Sequence, residues 1–339
     1  MVKGKKFVLQ KHFNGFPKES DVLIQEEELP PLQDGQFLCE SLYISVDPYQ
    51  RAYPQKVGSV VLGSQVARII ESKHPEFPVG KHVIAYYGWK THHILDGTEL
   101  KLSNLVTPPP MIIPDSLDVP LSYFLGVLGL TGISAYFGFL NICRPKPGET
   151  VVVTGAAGAV GSIVGQIAKI KKCKVIGVVG SDEKGQWITK DLGFDAFINY
   201  KTDNISKALK ELAPEGVDCY FDNVGGEISN EILKRMNEYG RISVCGSISN
   251  YNDTEESKAP AVQRIVVGKQ LKMEGFLFKQ FLNDYQQGVM QLTQWLKEGK
   301  IKSKETITEG FENTFKAFTD MLKGKNYGKA VVHVTKCKL

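Results

Sequence analysis

The chain has 339 residues, more than one hydrophobic core normally organises, so two domains are expected. Its 42% hydrophobic, 23% charged and 10% aromatic residues are those of a globular protein, which excludes disordered, collagen-like and disulfide-dense classes. A net charge of +4 on this length gives no electrostatic basis for nucleic-acid binding.

The basic start, Met1-Val2-Lys3-Gly4-Lys5-Lys6, leads into no sustained apolar run, so no secretory signal is expected. Residues 36–46, 57–70 and 81–87 are short apolar runs between Pro, Gly and Asp. They predict strands of a partly closed barrel or twisted sheet. Thr107-Pro108-Pro109-Pro110 and Pro114 mark a stiff connector. Residues 119–142 carry no charge and are long enough to span a bilayer, but Pro120, Ser122, Thr131, Asn141 and four glycines favour a buried helix with turns at its ends.

From residue 149 the texture changes. Apolar runs at 150–153, 174–179, 196–199, 217–222, 241–245 and 271–276 predict strands. Helical patterns at 160–171, 182–192, 205–212 and 227–237 separate the first five, as consecutive βα units of a parallel sheet require. After Asp284 the pattern is helical again, and 330–334 is a final strand able to return to the first domain.

The six cysteines (Cys39, Cys143, Cys173, Cys219, Cys245, Cys337) include no C-x-x-C pair, so neither a structural zinc lobe nor a thioredoxin motif is expected. The thiols fit a reducing compartment.

Thr154-Gly155-Ala156-Ala157-Gly158-Ala159-Val160-Gly161 lies between the strongest strand and the strongest helix. Glycines there let the backbone approach a pyrophosphate, while the helix N-terminus offers unpaired N–H groups and its positive dipole end. The strand-turn-helix context predicts a dinucleotide site. At the tip of the next strand an NAD site would place a carboxylate; here stand Gly180-Ser181, followed by Asp182, Glu183 and Lys184. Lys184 suits a 2′-phosphate and so NADP. Two other readings stand beside it: Asp182 as a helix cap with Lys184 a solvated charge, or Asp182 as a displaced ribose acid.

These features resemble the medium-chain dehydrogenase/reductase superfamily, in its zinc-independent branch of prostaglandin reductase 1 and alkenal double-bond reductases. The resemblance covers essentially the whole chain. It is carried by Ser45-Val46-Asp47-Pro48-Tyr49-Gln50-Arg51, the glycine turn, Gly180-Ser181-Asp182-Glu183-Lys184, Asn199-Tyr200-Lys201 and Phe221-Asp222-Asn223-Val224-Gly225-Gly226. Further matches are Cys245-Gly246-Ser247-Ile248-Ser249-Asn250-Tyr251-Asn252, Gly310-Phe311-Glu312-Asn313 and Gly324-Lys325-Asn326-Tyr327-Gly328-Lys329. Gly155 stands where the family often has alanine, and Gln50 where methionine is common beside the substrate pocket.

The resemblance implies an α/β fold: a Rossmann doubly wound parallel sheet at 125–299 plus a GroES-like β-barrel substrate domain at 1–124 and 300–339. It implies NADPH contacts at Gly158, Ala159, Val160, Gly161, Lys184, Tyr200, Asn223, Cys245, Gly246, Ser247, Ile248, Ser249, Tyr251, Phe276, Leu277, Phe278 and Asn326. It also implies a homodimer paired through the strand near 271–276. Where zinc-dependent relatives carry cysteine and a G-H-E segment, this chain has Ile44-Ser45-Val46-Asp47 and Leu62-Gly63-Ser64-Gln65, so no catalytic zinc is expected. The pair His92-His93 reads as polar strand or loop residues.

The activity implied is NADPH-dependent conjugate reduction of a small-molecule enone or enal, which needs a hydrogen-bond donor where enolate charge develops. Tyr251, in the polar loop after the fifth strand, is the donor that the resemblance implies, although from the sequence alone it reads more readily as an exposed loop tyrosine. Tyr49 is a candidate pocket wall or a packed barrel residue; Arg51 is a candidate partner for a substrate carboxylate or a surface charge. A zinc-independent quinone reductase and a noncatalytic NADPH-binding protein are the alternatives. The expected setting is cytoplasmic; the tail Cys337-Lys338-Leu339 stands close to a peroxisomal S-K-L address.

Overall fold

A computed structural model describes residues 2–99, 101–102, 105–255 and 261–334; the Cys337-Lys338-Leu339 tail lies outside them. The chain divides into two compact units, one of residues 1–125, 305–326 and 330–339, the other of residues 126–304 and 327–329.

The first unit opens with β1 (Val2–Leu9) and β2 (Val22–Leu29), an antiparallel pair. Then come β3 (Phe37–Ser45), the single-turn α1 (Tyr49–Ala52), β4 (Gln65–Ser72), β5 (His82–Ala85), β6 (His92–Leu95), β7 (Lys101–Leu102), β8 (Leu105–Val106) and β9 (Met111–Ile112). Of the expected run 57–70 only the part from Gln65 is a strand. Val61 instead makes single backbone hydrogen bonds to Phe7 and to Trp89 on either side, so its apolar character serves the core rather than a ladder.

The uncharged segment 119–142 is not one helix. A 3-10 turn (Leu121–Leu125), α2 (Leu130–Phe137) and a π-helical turn (Gly138–Cys143) share it. No helix among the described residues is long and apolar enough to cross a membrane.

The second unit continues with β10 (Thr150–Thr154), α3 (Gly161–Ile170), β11 (Lys174–Val179), α4 (Asp182–Lys190), β12 (Ala196–Asn199) and α5 (Ile205–Leu212). It proceeds through β13 (Val217–Asp222), α6 (Gly226–Lys234), β14 (Met236–Val244), α7 (Gln263–Gly268), β15 (Lys272–Gly275) and α8 (Tyr285–Lys297). The helix expected to 237 stops at Lys234, because Met236 already pairs with Val217 across a bulge. All six strands are parallel, in the order β12-β11-β10-β13-β14-β15. Every residue of β10 is buried, as expected of a strand covered on both faces. Val152, Ile176, Ile198, Tyr220 and Ile242 share its core.

The strand order reverses between β10 and β13, which places the ligand crevice of such a sheet at their carboxyl ends. The chain then supplies β16 (Glu305–Glu309), α9 (Thr314–Leu322) and β17 (Lys329–His333). Val331 pairs with Ser45, so the last strand completes the first unit's sheet, β16-β17-β3-β4-β5-β9, as the sequence predicts. Phe7, Trp89, Phe311 and Phe318 fill the core beneath it.

Candidate cofactor and active site

The glycine turn emerges from β10 at the reversal point. Gly155 has φ of +60°, and Gly158 donates its N–H back to the Gly155 carbonyl at 2.9 Å. A Cβ on Gly161 would stand 2.4 Å from that same carbonyl oxygen, so only glycine lets α3 start here. The left-handed backbone bears on Gly155 too: alanine, common there in the family, carries a penalty of about 1–2 kcal/mol in this conformation.

The carboxyl end of β13 is fastened to this turn. Asp222 is buried and accepts from Val224 N (2.9 Å), Gly225 N (2.9 Å) and Ser229 Oγ (2.7 Å). The Asn223 side-chain amide donates to the Thr154 carbonyl at 2.7 Å. The loop after β14 is stapled to the same segment: Cys245 N donates to the Asp222 carbonyl at 2.8 Å, and Ser249 Oγ to the Val224 carbonyl at 2.6 Å. Thr154, Asp222 and the 245–249 loop therefore form one hydrogen-bonded chain across three strand ends. Asp222 is the hub, a role that its place in a motif did not reveal.

A cavity of about 500 Å³ opens against this loop, and Cys245, Gly246, Ser247, Tyr251, Phe276 and Leu277 contribute to its lining. The Tyr251 hydroxyl accepts from Ser247 N–H at 3.3 Å, which turns the phenol back over its own loop. A Cβ on Gly246 would lie 2.9 Å from that hydroxyl, so the missing side chain is what admits it. Burial pushes the Cys245 thiol up to about 12, with Asp222 adding to the shift, so the sulfur lines the cavity as a neutral group. Phe276 is buried against Phe221 and Phe281, and its ring serves the core. Leu277 is half exposed, and Phe278 packs edge-on against Tyr285.

At the tip of β11, Ser181 rather than Asp182 caps α4, its hydroxyl accepting from Lys184 N at 3.3 Å. The Asp182 carboxylate is held instead by the Asn199 side-chain amide at 2.9 Å. Tyr200 lies across the tip: a Cβ on Gly180 would meet its hydroxyl at 3.0 Å. The space an NAD-type carboxylate would occupy is thus taken by a phenol. Burial, and then the nearby Lys201, hold the Lys184 ammonium below the usual lysine range. Two cations and a phenol beside a glycine cradle fit a dinucleotide carrying a 2′-phosphate.

Comparison with known proteins fits this geometry. Residues 5–102 match the model described as the N-terminal domain of oxidoreductase, and residues 159–295 the model described as zinc-binding dehydrogenase. Prostaglandin reductase 1 of Bos taurus is 50% identical over 336 residues, covering 98% of this chain and 99% of that protein. This chain belongs to the prostaglandin reductase 1 and alkenal reductase family of medium-chain dehydrogenase/reductases. The NADP(+)-dependent 2-alkenal reductase of Nicotiana tabacum, from that same family, is 37% identical, with 99% and 98% of the two chains covered. Among solved structures, CurA from Vibrio vulnificus in complex with NADPH superposes with a TM-score of 0.91 at 36% identity, covering 98% of this chain and 100% of that one.

The family's other expected residues lie in the first unit. Tyr49 and Arg51 stand on α1, where the Tyr49 ring meets Tyr53 edge-on. Burial first, and then Asp47, push the Tyr49 phenol well above its ordinary range. Arg51 donates to the Gly15 carbonyl at 3.1 Å and lies over Phe13, at the edge of a cavity of about 260 Å³. Gln50 is not a pocket residue. It is fully buried, with its amide donating to the carbonyls of Ser45 (3.0 Å) and Leu62 (2.8 Å) and accepting from Asp47 N (2.9 Å). Asn326 also falls in the first unit.

The two adjacent histidines lie on β6. Lys90 donates to His93 Nδ1 at 2.9 Å and pairs with Glu27 at 2.6 Å, while His92 meets the Thr91 hydroxyl at 3.1 Å. Among the described residues no three His, Cys, Asp or Glu side chains stand where they could hold one metal ion. The sequence reading gave no site role to Trp187, Lys304 and Tyr327, which form one cluster through ring contacts that join distant segments, with Lys184 over the Tyr327 ring.

Proposed function

We propose that this chain reduces the α,β carbon–carbon double bond of enones and enals with NADPH, acting on 15-oxo-prostaglandin or alkenal substrates. The observation that carries the reading is the cavity after β14, which sets Tyr251 against a loop fastened through Asp222 to the glycine turn. NADPH, when bound, supplies a hydride to the β-carbon. The chain's own residues do the rest. Gly158 to Gly161 and the start of α3 hold the pyrophosphate, and Lys184 and Tyr200 hold the 2′-phosphate. Asn223, the 245–249 loop and the backbone of 276–278 position the nicotinamide half, with Asn326 a further contact. Tyr251, its hydroxyl held against the loop by the Ser247 N–H, is the hydrogen-bond donor to the carbonyl oxygen as enolate charge develops there. Tyr49 forms a wall of the substrate pocket and Arg51 meets an anionic substrate group, in a substrate domain of residues 1–124 and 300–339; residues 125–299 form the NADPH-binding domain.

We also infer a homodimer paired through β15, an edge strand whose four residues are all exposed, and a cytoplasmic setting. Sedimentation velocity tests the dimer: a species of one chain's mass would reject it.

NADPH absorbance followed with 4-hydroxynonenal, 15-oxo-prostaglandin and a simple quinone, each repeated with NADH, tests the activity. Rapid NADPH oxidation yielding the saturated carbonyl is expected. Turnover of the quinone alone, or tight NADPH binding without turnover, would reject the reading.

A further inference from the structure

We propose that Lys304, seated over the rings of Trp187 and Tyr327, is a second cation for the 2′-phosphate of the cofactor and shares with Lys184 the selection of NADPH over NADH. The inference rests on the NADPH reading above and adds residues that reading does not contain.

Lys304 and Tyr327 come from beyond the consecutive βα units, yet both segments are knit to the phosphate turn. Gly328 donates its N–H to the Ala157 carbonyl at 2.8 Å, and Gly158 and Gly328 form a parallel bridge. Lys329 N in turn donates to the Lys304 carbonyl at 3.0 Å. The approach is so close that a Cβ on Gly328 would lie 2.0 Å from that carbonyl oxygen. From the other side the buried Gln166 of α3 clamps the same segment, its carboxamide accepting from Lys302 N at 2.8 Å and donating to the Lys302 carbonyl at 3.0 Å. The backbone carrying Lys304 is therefore fixed against the helix that begins at the phosphate turn.

Trp187 lies three residues after Lys184, on the same face of α4. It meets Tyr327 edge-on, with centroids 5.6 Å apart and planes at 76°. Lys304 Nζ sits 4.7 Å from the Tyr327 centroid and 5.2 Å from that of Trp187, and Lys184 Nζ is 5.5 Å from the same tyrosine ring. Ring faces attract an ammonium without neutralising it, so they can orient a cation whose charge still acts on a ligand. Lys184 and Lys304 gather on one tyrosine ring, and Lys201 lies close enough to Lys184 to add to the burial that depresses its pKa, so positive charge is concentrated here. A phosphate dianion is the ligand that this arrangement favours, and the tip of β11 is where a ribose 2′-substituent lies.

Isothermal titration with adenosine 2′,5′-bisphosphate and with 5′-AMP tests the assignment. The wild-type chain should prefer the bisphosphate; equal affinity would overturn the NADPH reading itself. Lys304→Met should weaken the bisphosphate about tenfold and leave 5′-AMP unchanged, while Lys304→Arg restores the preference. Tyr327→Leu should lose part of it by releasing Lys304. Equal weakening of both ligands, or of neither, in Lys304→Met would overturn the proposal while leaving the NADPH reading intact. Lys304→Gln serves the same comparison should the methionine variant not fold.

Discussion

Replacing Glu27 with glutamine should destabilise the first unit by several kcal/mol, because it strands a buried ammonium. The Lys90 side chain is only 7% exposed and Glu27 17%, and the two meet at 2.6 Å. Lys6 donates to the other Glu27 oxygen at 2.8 Å, so one carboxylate on β2 neutralises cations from β1 and from the turn before β6. Burial raises the Glu27 pKa, but hydrogen bonds from Lys6 and Lys90 outweigh it, and the net shift is downward. Removing one partner of such a pair costs about 3–5 kcal/mol, a large share of a domain's stability. The double change Glu27→Leu with Lys90→Met should recover most of the loss, since it removes the buried ammonium together with its carboxylate and leaves Lys6, 24% exposed, to be met by solvent. Trp89 lies in this unit's core, so with Trp187 and Trp295 replaced by phenylalanine its fluorescence in a urea titration reports the unfolding. The reasoning fails if Glu27→Gln moves the stability by less than about 0.5 kcal/mol, the scale of an ordinary surface substitution.

The same network makes the unit acid-sensitive. Burial first, and then Lys90, depress His93 to about 3. The unfolded chain takes up a proton below about pH 6.5 that the folded chain refuses, so stability is full above that pH. It falls by about 1.4 kcal/mol per unit as pH drops toward 3. Glu27, with its folded pKa lowered, adds to the loss below its unfolded value of 4.5. His93→Asn should flatten the slope between pH 6.5 and 4.5; an unchanged slope would show that His93 does not cause it.

Tyr251→Phe should lower kcat/KM by about 10²–10³-fold with NADPH affinity retained, and an unchanged rate would remove Tyr251 as the donor. Lys184→Ala should raise the KM for NADPH by at least tenfold and leave that for NADH unaltered, which initial rates with both cofactors would check. Gly161→Ala should abolish cofactor binding in a titration, because the clash is with backbone that cannot yield, whereas Gly158→Ala, with the Gly155 oxygen at 3.1 Å, should retain part of it. Gln50→Leu should lower the melting temperature through lost buried hydrogen bonds without altering substrate KM.

The parallel sheet was legible in the sequence because its strands are buried on both faces and read as continuous apolar runs, of which Val151-Val152-Val153 is the clearest. The glycine turn was legible for a similar reason: Gly161 answers to a contact six residues away, with Gly155. The strand tip was legible only in part. Gly180, Ser181 and Lys184 pointed to a 2′-phosphate, but the cap by Ser181 and the restraint of Asp182 by Asn199 are settled by side-chain geometry. Other features depend wholly on tertiary structure. The resemblance placed Gln50 beside the substrate pocket, yet its amide is consumed by Ser45 and Leu62. Glu27 and Lys90 are ordinary charges in the sequence, and 63 positions separate them before the strands bring them to 2.6 Å. The segments carrying Lys304 and Tyr327 are held at the phosphate turn by Gly328 docking on Ala157 and by Gln166 clamping Lys302. Local periodicity records which faces are buried; it carries no record of which distant side chains meet, and that pairing decides where opposite charges, or like ones, are brought together.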